Sequence, residues 1–141
     1  MLRRNALKAY EQAEQDFMVE GADNHRLIEI LFTELLSSLD RAILALETKD
    51  FAARSQAQSK ALTIIVSLAG SLDFERGKPV ATTLAELYEW ARVQIIEANK
   101  STPFERLTAV RKAMADIAEA WSMNQPEPTF AVRFAVPSFG G

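Results

Sequence analysis

Few residues in this sequence could carry out chemistry, and His25 is the only histidine in a chain that lacks cysteine. A di-iron site inside a helical bundle needs two Glu-x-x-His pairs, which one histidine cannot supply. A phosphotransfer domain would place its histidine mid-helix and follow it with a lysine and small residues. His25 is instead followed by Arg26, Leu27 and Ile28. We therefore interpret His25 as a solvated polar residue in the first turn of a helix.

Nucleophilic and acid–base chemistry has no better support. Serines such as Ser37 and Ser59 have no histidine base to activate them, and the sequence has no glycine-rich loop for a phosphate. The Asp and Glu residues fall on polar helix faces, where solvent exposure is the usual state. The sequence therefore predicts no catalytic, cofactor-binding or metal-ligating residue, and it does not favour an enzyme.

Length and charge restrict the remaining classes of protein. The chain has 141 residues, which suits one domain that folds without metal or disulfide. Its net charge is −3 with no basic block, so nucleic acid is not a predicted partner. No apolar run approaches the ~20 residues that cross a membrane, and the N-terminus lacks the apolar core of a secretory signal. We expect a cytoplasmic protein without membrane insertion.

Hydrophobic periodicity predicts an all-α fold, an antiparallel four-helix bundle over residues 23–122. An N-terminal arm and linker occupy 1–22, and a tail with prolines and glycines occupies 123–141. The predicted helices span about 24–47, 51–72, 79–99 and 103–121. Their core stripes are Ile28, Leu31, Phe32, Leu35, Leu39, Ala42, Ile43 and Leu46; Ala57, Ala61, Ile64, Ile65, Leu68 and Leu72; Val80, Leu84, Leu87, Tyr88, Ala91, Ile95 and Ala98; and Phe104, Leu107, Val110, Met114, Ile117 and Trp121.

Capping residues mark three of the helix starts. Asp23 and Asp50 are predicted N-caps because a short carboxylate can accept hydrogen bonds from the first helical amides. Thr102, followed by Pro103 and by Glu105, has the pattern of a capping box. These signals agree with the helical periodicity that follows each of them.

The second predicted helix carries more apolar surface than one core stripe requires. Leu62, Val66 and Ala69 fall within about 60° of one another, and their centre lies roughly 120° from the core stripe. Further apolar residues off the core stripes are Ile30 on the first helix and Trp90 and Val93 on the third. Two interpretations remain open: burial among several neighbouring helices, or an exposed groove that accepts a partner helix.

The two ends of the chain are candidate covers for such a groove. Leu7 and Tyr10 are three residues apart, so a helical arm over 5–17 would place them on one face, although so short a helix is marginal alone. Residues 18–23, with Gly21, are predicted to form a linker. Phe130, Val132 and the apolar residues after them alternate like a strand in the tail. The tail is either docked or a disordered end.

The sequence resembles a known family, the FliS-type flagellar secretion chaperones, over about residues 5–121. The segments that carry the resemblance are NALKAY at 5–10, DNHRLIEILF at 23–32, SLDFERG at 71–77, LAELYEW at 84–90, EAN at 97–99 and AW at 120–121. The chain departs from the family pattern at Asn24, where proline is usual, and we recognise no counterpart for the tail beyond Trp121. No single segment is decisive, but the ordered set is specific.

The resemblance implies a cytoplasmic chaperone without a cofactor. Such a protein would bind the C-terminal segment of flagellin, prevent premature polymerisation and deliver its client to the flagellar export gate. The client-binding residues would be Leu7, Tyr10, Ile30, Leu62, Val66, Ala69, Trp90 and Val93. The alternative is a regulatory adaptor that sequesters another flagellar protein, such as a flagellar regulator.

Overall fold

The computed structural model describes the backbone of residues 21–123 and the side chains of residues 24–123. Within this part the chain forms four α-helices: α1 at Gly21–Thr48, α2 at Phe51–Gly70, α3 at Val80–Glu97 and α4 at Pro103–Met123. The predicted all-α fold is confirmed, and every predicted helix end lies within three residues of the observed one.

Contacts between α1 and α4 show that these two helices are antiparallel. His25 near the start of α1 contacts Trp121 near the end of α4. Asp40, in the second half of α1, pairs with Arg111 in the first half of α4. A turn at residues 49–50 folds α2 back along α1. Both α1 and α3 pack against α2 and α4, which is the arrangement of an up-down-up-down bundle with α1 and α3 on one diagonal.

The bundle core contains the predicted apolar stripes, with one exception, and also Ala45, Ala81 and Ala113, which the stripes did not include. The largest fully buried side chains come from all four helices: Leu35, Leu39, Ile64, Ile65, Leu68, Leu87, Ile95, Leu107, Val110, Met114 and Ile117. Phe104 is the exception, since it is 52% exposed. Phe104 lies in the first turn of α4, at the edge of the predicted stripe. Its side chain therefore stays exposed, whereas the later residues of the stripe are covered by the bundle.

The turn between α1 and α2 forms as predicted. The carboxylate of Asp50 accepts a hydrogen bond from the backbone amide of Ala53 at 3.0 Å, so Asp50 is the N-cap of α2. Lys49 adopts the left-handed conformation with φ of 58°, which a single residue can provide to reverse the chain between two helices.

The start of α1 differs from its prediction. The helix begins at Gly21, so Gly21 and Ala22 are helical and Asp23 lies inside the helix instead of capping it. Extending an existing helix adds one backbone hydrogen bond per residue. That gain offsets the roughly 1 kcal/mol that one glycine costs in a helix. The predicted linker over 18–23 is therefore wrong for residues 21–23, and its residues 18–20 lie outside the described residues.

Two loop residues have conformations that their residue types do not indicate. Thr102 has φ of 41°, not the extended conformation of a side-chain N-cap, although its carbonyl accepts from the Arg106 amide. Gly77 does not adopt the left-handed conformation in which glycine often ends a helix, because no glycine in the described residues has a positive φ. A Cβ at Gly77 would instead lie 2.7 Å from the Asp73 carbonyl oxygen, so glycine is needed there for close packing.

A polar network links the first half of α2 to the end of α3. Gln58 is buried, and its side-chain amide donates to the Ile95 carbonyl at 3.1 Å and to Asn99 Oδ1 at 3.2 Å. The guanidinium of Arg54 donates to the Ala98 carbonyl at 2.6 Å and to Gln58 Oε1 at 2.6 Å. These bonds satisfy carbonyl groups that the end of α3 would leave unpaired. They also fix the position of the start of α2 relative to the end of α3.

Candidate functional site

The second apolar stripe of α2 has two parts with different surroundings. Val66 is 59% exposed, whereas Leu62 and Ala69 are half-buried and pack against the core. Leu62 follows Gln58 by one helical turn, and Gln58 bonds to α3, so this side of α2 faces α3. Burial among neighbouring helices therefore accounts for Leu62 and Ala69, and Val66 is the residue of this stripe that stays exposed.

The off-core apolar residues of α3 spread around its outer face. Val93 and Ile96 are exposed, while Trp90 is half-buried against the core. Ile96 precedes Asn99 by three residues, which places it toward α2, where Asn99 accepts a bond from Gln58. Trp90 precedes Gln94 by one turn and lies toward α4, since Arg106 donates to Gln94. The structure therefore does not bring Trp90 together with the stripe of α2.

Ile30 of α1 is 48% exposed and lies on the side of α1 that faces α2. One turn later on that side, Glu34 Oε1 forms an ion pair with Lys60 Nζ of α2 at 2.6 Å. Exposed apolar residues thus occur on α2 and on both helices that pack against it. We call Ile30, Val66, Val93 and Ile96 the outer apolar surface.

Charged residues border the outer apolar surface on α3. Arg92 and Glu89 form an ion pair with an N–O distance of 2.6 Å, and the hydrogen bond from Arg92 lowers the pKa of the Glu89 carboxyl. Both side chains are solvent-exposed, so this pair contributes little to stability. It supplies a charged margin beside Val93 and Ile96.

A groove between α1 and α2 was not indicated by the sequence. It has a volume of about 710 Å³ and contains none of the predicted client-binding residues. Its apolar lining is Leu44, Ala45, Ala53, Ala57 and Ile64. The small residues in the first half of α2 are the one sequence signal that could have pointed to it, because they allow close helix approach and also leave space above the contact.

The contact between His25 and Trp121 was also missed. The two rings stack with centroids 4.5 Å apart and an interplanar angle of 12°. His25 Nε2 lies 2.9 Å from the Trp121 carbonyl, and Trp121 Nε1 donates to the His25 carbonyl at 2.9 Å. A carbonyl only accepts, so Nε2 carries the hydrogen. The interpretation of His25 as a solvated residue is therefore wrong: it joins the start of α1 to the end of α4.

The remaining predictions concern the two ends of the chain, metal ligands and membrane spans. Leu7, Tyr10 and the tail residues lie outside the described residues. In residues 24–123 no group of three or more His, Asp or Glu side chains is placed to hold a metal ion. None of the four helices is long and apolar enough to cross a membrane.

Comparison with known proteins shows the family to which the chain belongs. Residues 6–128 match the family described as flagellar protein FliS. The flagellar secretion chaperone FliS of Salmonella typhimurium is 37% identical over 131 residues, covering 92% of this chain and 97% of that protein. FliSB of Pseudomonas aeruginosa is 32% identical over 86% of this chain and 96% of its own, and FliS of Vibrio cholerae is 28% identical over 88% and 91%. The chain belongs to the FliS family of flagellar proteins.

Proposed function

We propose that this protein is a cytoplasmic export chaperone that binds the C-terminal segment of flagellin and delivers it to the flagellar export apparatus. The observation that carries the proposal is the outer apolar surface: Val66 is 59% exposed on α2, with Ile30 and Ile96 exposed on the helices beside it. Exposed apolar residues on neighbouring helices form the kind of surface that accepts an amphipathic helix. The relatives named flagellar secretion chaperones support the same role.

The proposed mechanism is physical protection without catalysis. The end segments of a filament subunit are amphipathic and associate with one another when they are free. A segment that lays its apolar face on α2 and α3 cannot make that association, and it orders only on binding. Part of the interaction energy is used for this ordering, so the complex stays releasable. No nucleotide, metal or covalent step is required, and the protein acts as a binding protein and not as an enzyme.

The predicted arm has a place in this mechanism. A segment over residues 5–17 that presents Leu7 and Tyr10 on one face could cover the outer apolar surface until the client arrives. Because Gly21 is helical, it is not a hinge for the arm. The cover must be weak, since a tightly held one would lower the apparent affinity for the client.

Calorimetric titration of the full chain with a peptide from the C-terminal segment of flagellin tests the proposal. We expect saturable binding of one peptide per chain, with a negative heat-capacity change because apolar surface is buried. A peptide of equal length from the central region of flagellin is the control and should give no binding. Absence of binding to the C-terminal peptide, together with co-purification of a flagellar regulator from extract, would establish the adaptor instead.

A further inference from the structure

The groove between α1 and α2 is separate from the outer apolar surface and has its own chemistry. Its floor is formed by alanine side chains, Ala45 of α1 and Ala53 and Ala57 of α2. Leu44, 58% exposed, stands at its edge. On the α2 side the lining runs from Ala53 to Ile64, which is about 16 Å at 1.5 Å per residue. That length matches about three turns of a helix.

Leu44 and Arg41 form a ridge between two hollows. Both residues line the main groove, and both also line a shallower hollow of about 430 Å³ on the outer face of α1. A helix laid along the groove could place apolar side chains on either side of Leu44. The polar residue beside those side chains would meet Arg41.

The charges around the groove determine which polar residue fits. Three charged residues line the groove: Arg41, Asp50 and Lys60. Lys60 is already paired with Glu34 at 2.6 Å, and the Asp50 carboxylate accepts a hydrogen bond from the Ala53 amide at 3.0 Å as the N-cap of α2. Arg41 is exposed and makes a hydrogen bond to Ser38 Oγ at 3.4 Å. It has no ion pair with any residue in the described part of the chain. The guanidinium of Arg41 is therefore a cation beside an apolar floor, available to a carboxylate.

We propose that the groove between α1 and α2 is a second helix-binding site, and that it takes an amphipathic helix of a partner protein whose flank carries a carboxylate that pairs with Arg41. The helix would be about three turns long, with small or medium apolar side chains facing the alanine floor. This site is independent of the outer apolar surface, so a partner bound here and a client bound there do not exclude each other by contact with the same residues.

Two synthetic probes test the charge requirement. Both are amidated 14-residue helical peptides with leucine and alanine at i, i+3, i+4 and i+7, and they differ only in carrying glutamate or lysine on the flanks. In fluorescence anisotropy the wild-type chain should bind the glutamate peptide about tenfold more tightly than the lysine peptide. Arg41→Glu should reverse that preference, a gain of affinity for the lysine peptide that unfolding could not produce.

Controls separate this site from others. Lys112→Glu makes the same charge change on α4, where the side chain is 80% exposed, and should leave the wild-type preference intact. Val66→Asp should leave binding of the glutamate peptide unchanged, whereas loss of binding in that variant would place the peptide on the outer apolar surface and overturn the proposal. Equal affinity of the wild-type chain for both peptides, or a preference that survives Arg41→Glu, would also overturn it. Sedimentation showing a dimer of the chain that Leu44→Asp dissociates would replace the proposed partner with a second copy.

Discussion

Val66 and Leu62 lie one turn apart on α2 and are both apolar, but they have different surroundings. A separation of four residues rotates a side chain by about 40° around the helix. That rotation takes Leu62 against the core beside α3 and leaves Val66 59% exposed. The helical period places Leu62 and Val66 on one stripe of α2. It could not place the edge of burial within the stripe, because that edge depends on where α3 packs.

Val66→Asp should weaken binding of the flagellin peptide at least about tenfold, because a carboxylate at the centre of an apolar contact must lose water without gaining a partner. Helix content and the urea midpoint should stay close to wild type, since Val66 lies on an exposed face. Ala109→Asp is the matched control, because it adds the same charge to an exposed position of α4. Equal affinities for the two variants would remove Val66 from the client surface.

His25 shows why a lone polar residue is hard to interpret from sequence. Its partner, Trp121, is 96 residues away, and only the closure of α1 against α4 brings the rings together. The periodicity of α4 predicted that Trp121 contributes to the core, and it does pack against it. No local pattern around His25 indicates a stacking partner.

His25→Ala should lower the free energy of unfolding by about 1–2 kcal/mol, from loss of the stacked ring and one hydrogen bond. His25→Phe should recover part of that loss, because it keeps the ring and removes the hydrogen bond. Arg26→Ala, at the exposed neighbouring position, should change stability by less than about 0.5 kcal/mol. Urea denaturation compares the three variants, and a midpoint unchanged by His25→Ala would show that this contact does not stabilise the bundle.

At the scale of the elements, helices and their ends were predictable to different degrees. The 3.6-residue period located all four helices, and Asp50 identified the start of α2. Thr102 and Asp23 have the residue types of caps, but their conformations follow from how the bundle closes and how far α1 extends. The small residues in the first half of α2 were the one indication of the groove between α1 and α2, and its size depends on the distance between the two helices and not on either sequence alone.

Two glycines should respond in opposite directions to alanine. Gly70, the last residue of α2, has nothing within 4 Å of an added Cβ. Gly70→Ala should therefore stabilise the fold by up to about 1 kcal/mol. At Gly77 the added Cβ would lie 2.7 Å from a backbone oxygen, so Gly77→Ala should destabilise by about 1–3 kcal/mol. Urea unfolding measures both, and a shift of both midpoints in the same direction would contradict the packing described for Gly77.

The arm can be tested as an element by deleting residues 1–17. Docking of Leu7 and Tyr10 could gain about 3–4 kcal/mol gross, and the cost of ordering about ten residues offsets much of it. The deletion should therefore leave the bundle folded and change the affinity for the flagellin peptide modestly. Affinity rises if the arm only covers the surface, and it falls if these side chains also touch the client. Identical calorimetric affinities on a folded truncation would exclude the arm from the mechanism.

At the scale of the whole molecule, the bundle leaves each helix with an outer face that its two neighbours do not cover. In α2 that outer face carries Val66, and the groove beside α1 lies next to it. The fold class followed from the sequence because four amphipathic helices with short connections have few ways to bury their stripes. The sequence did not show which of the remaining apolar residues would be half-buried at the core margin and which would be exposed, because that depends on the packing of all four helices.

We propose that the protein prevents flagellin from polymerising by covering its C-terminal segment, and seeded filament growth tests this proposal most directly. Light scattering would follow purified flagellin, seeded with filament fragments, at increasing amounts of the full chain. We predict that growth falls in proportion to the chain and stops near one chain per flagellin. The Ala109→Asp variant should match wild type, and Val66→Asp should need at least about tenfold more protein. Filament growth that is unaffected by a severalfold excess of the wild-type chain would contradict the account.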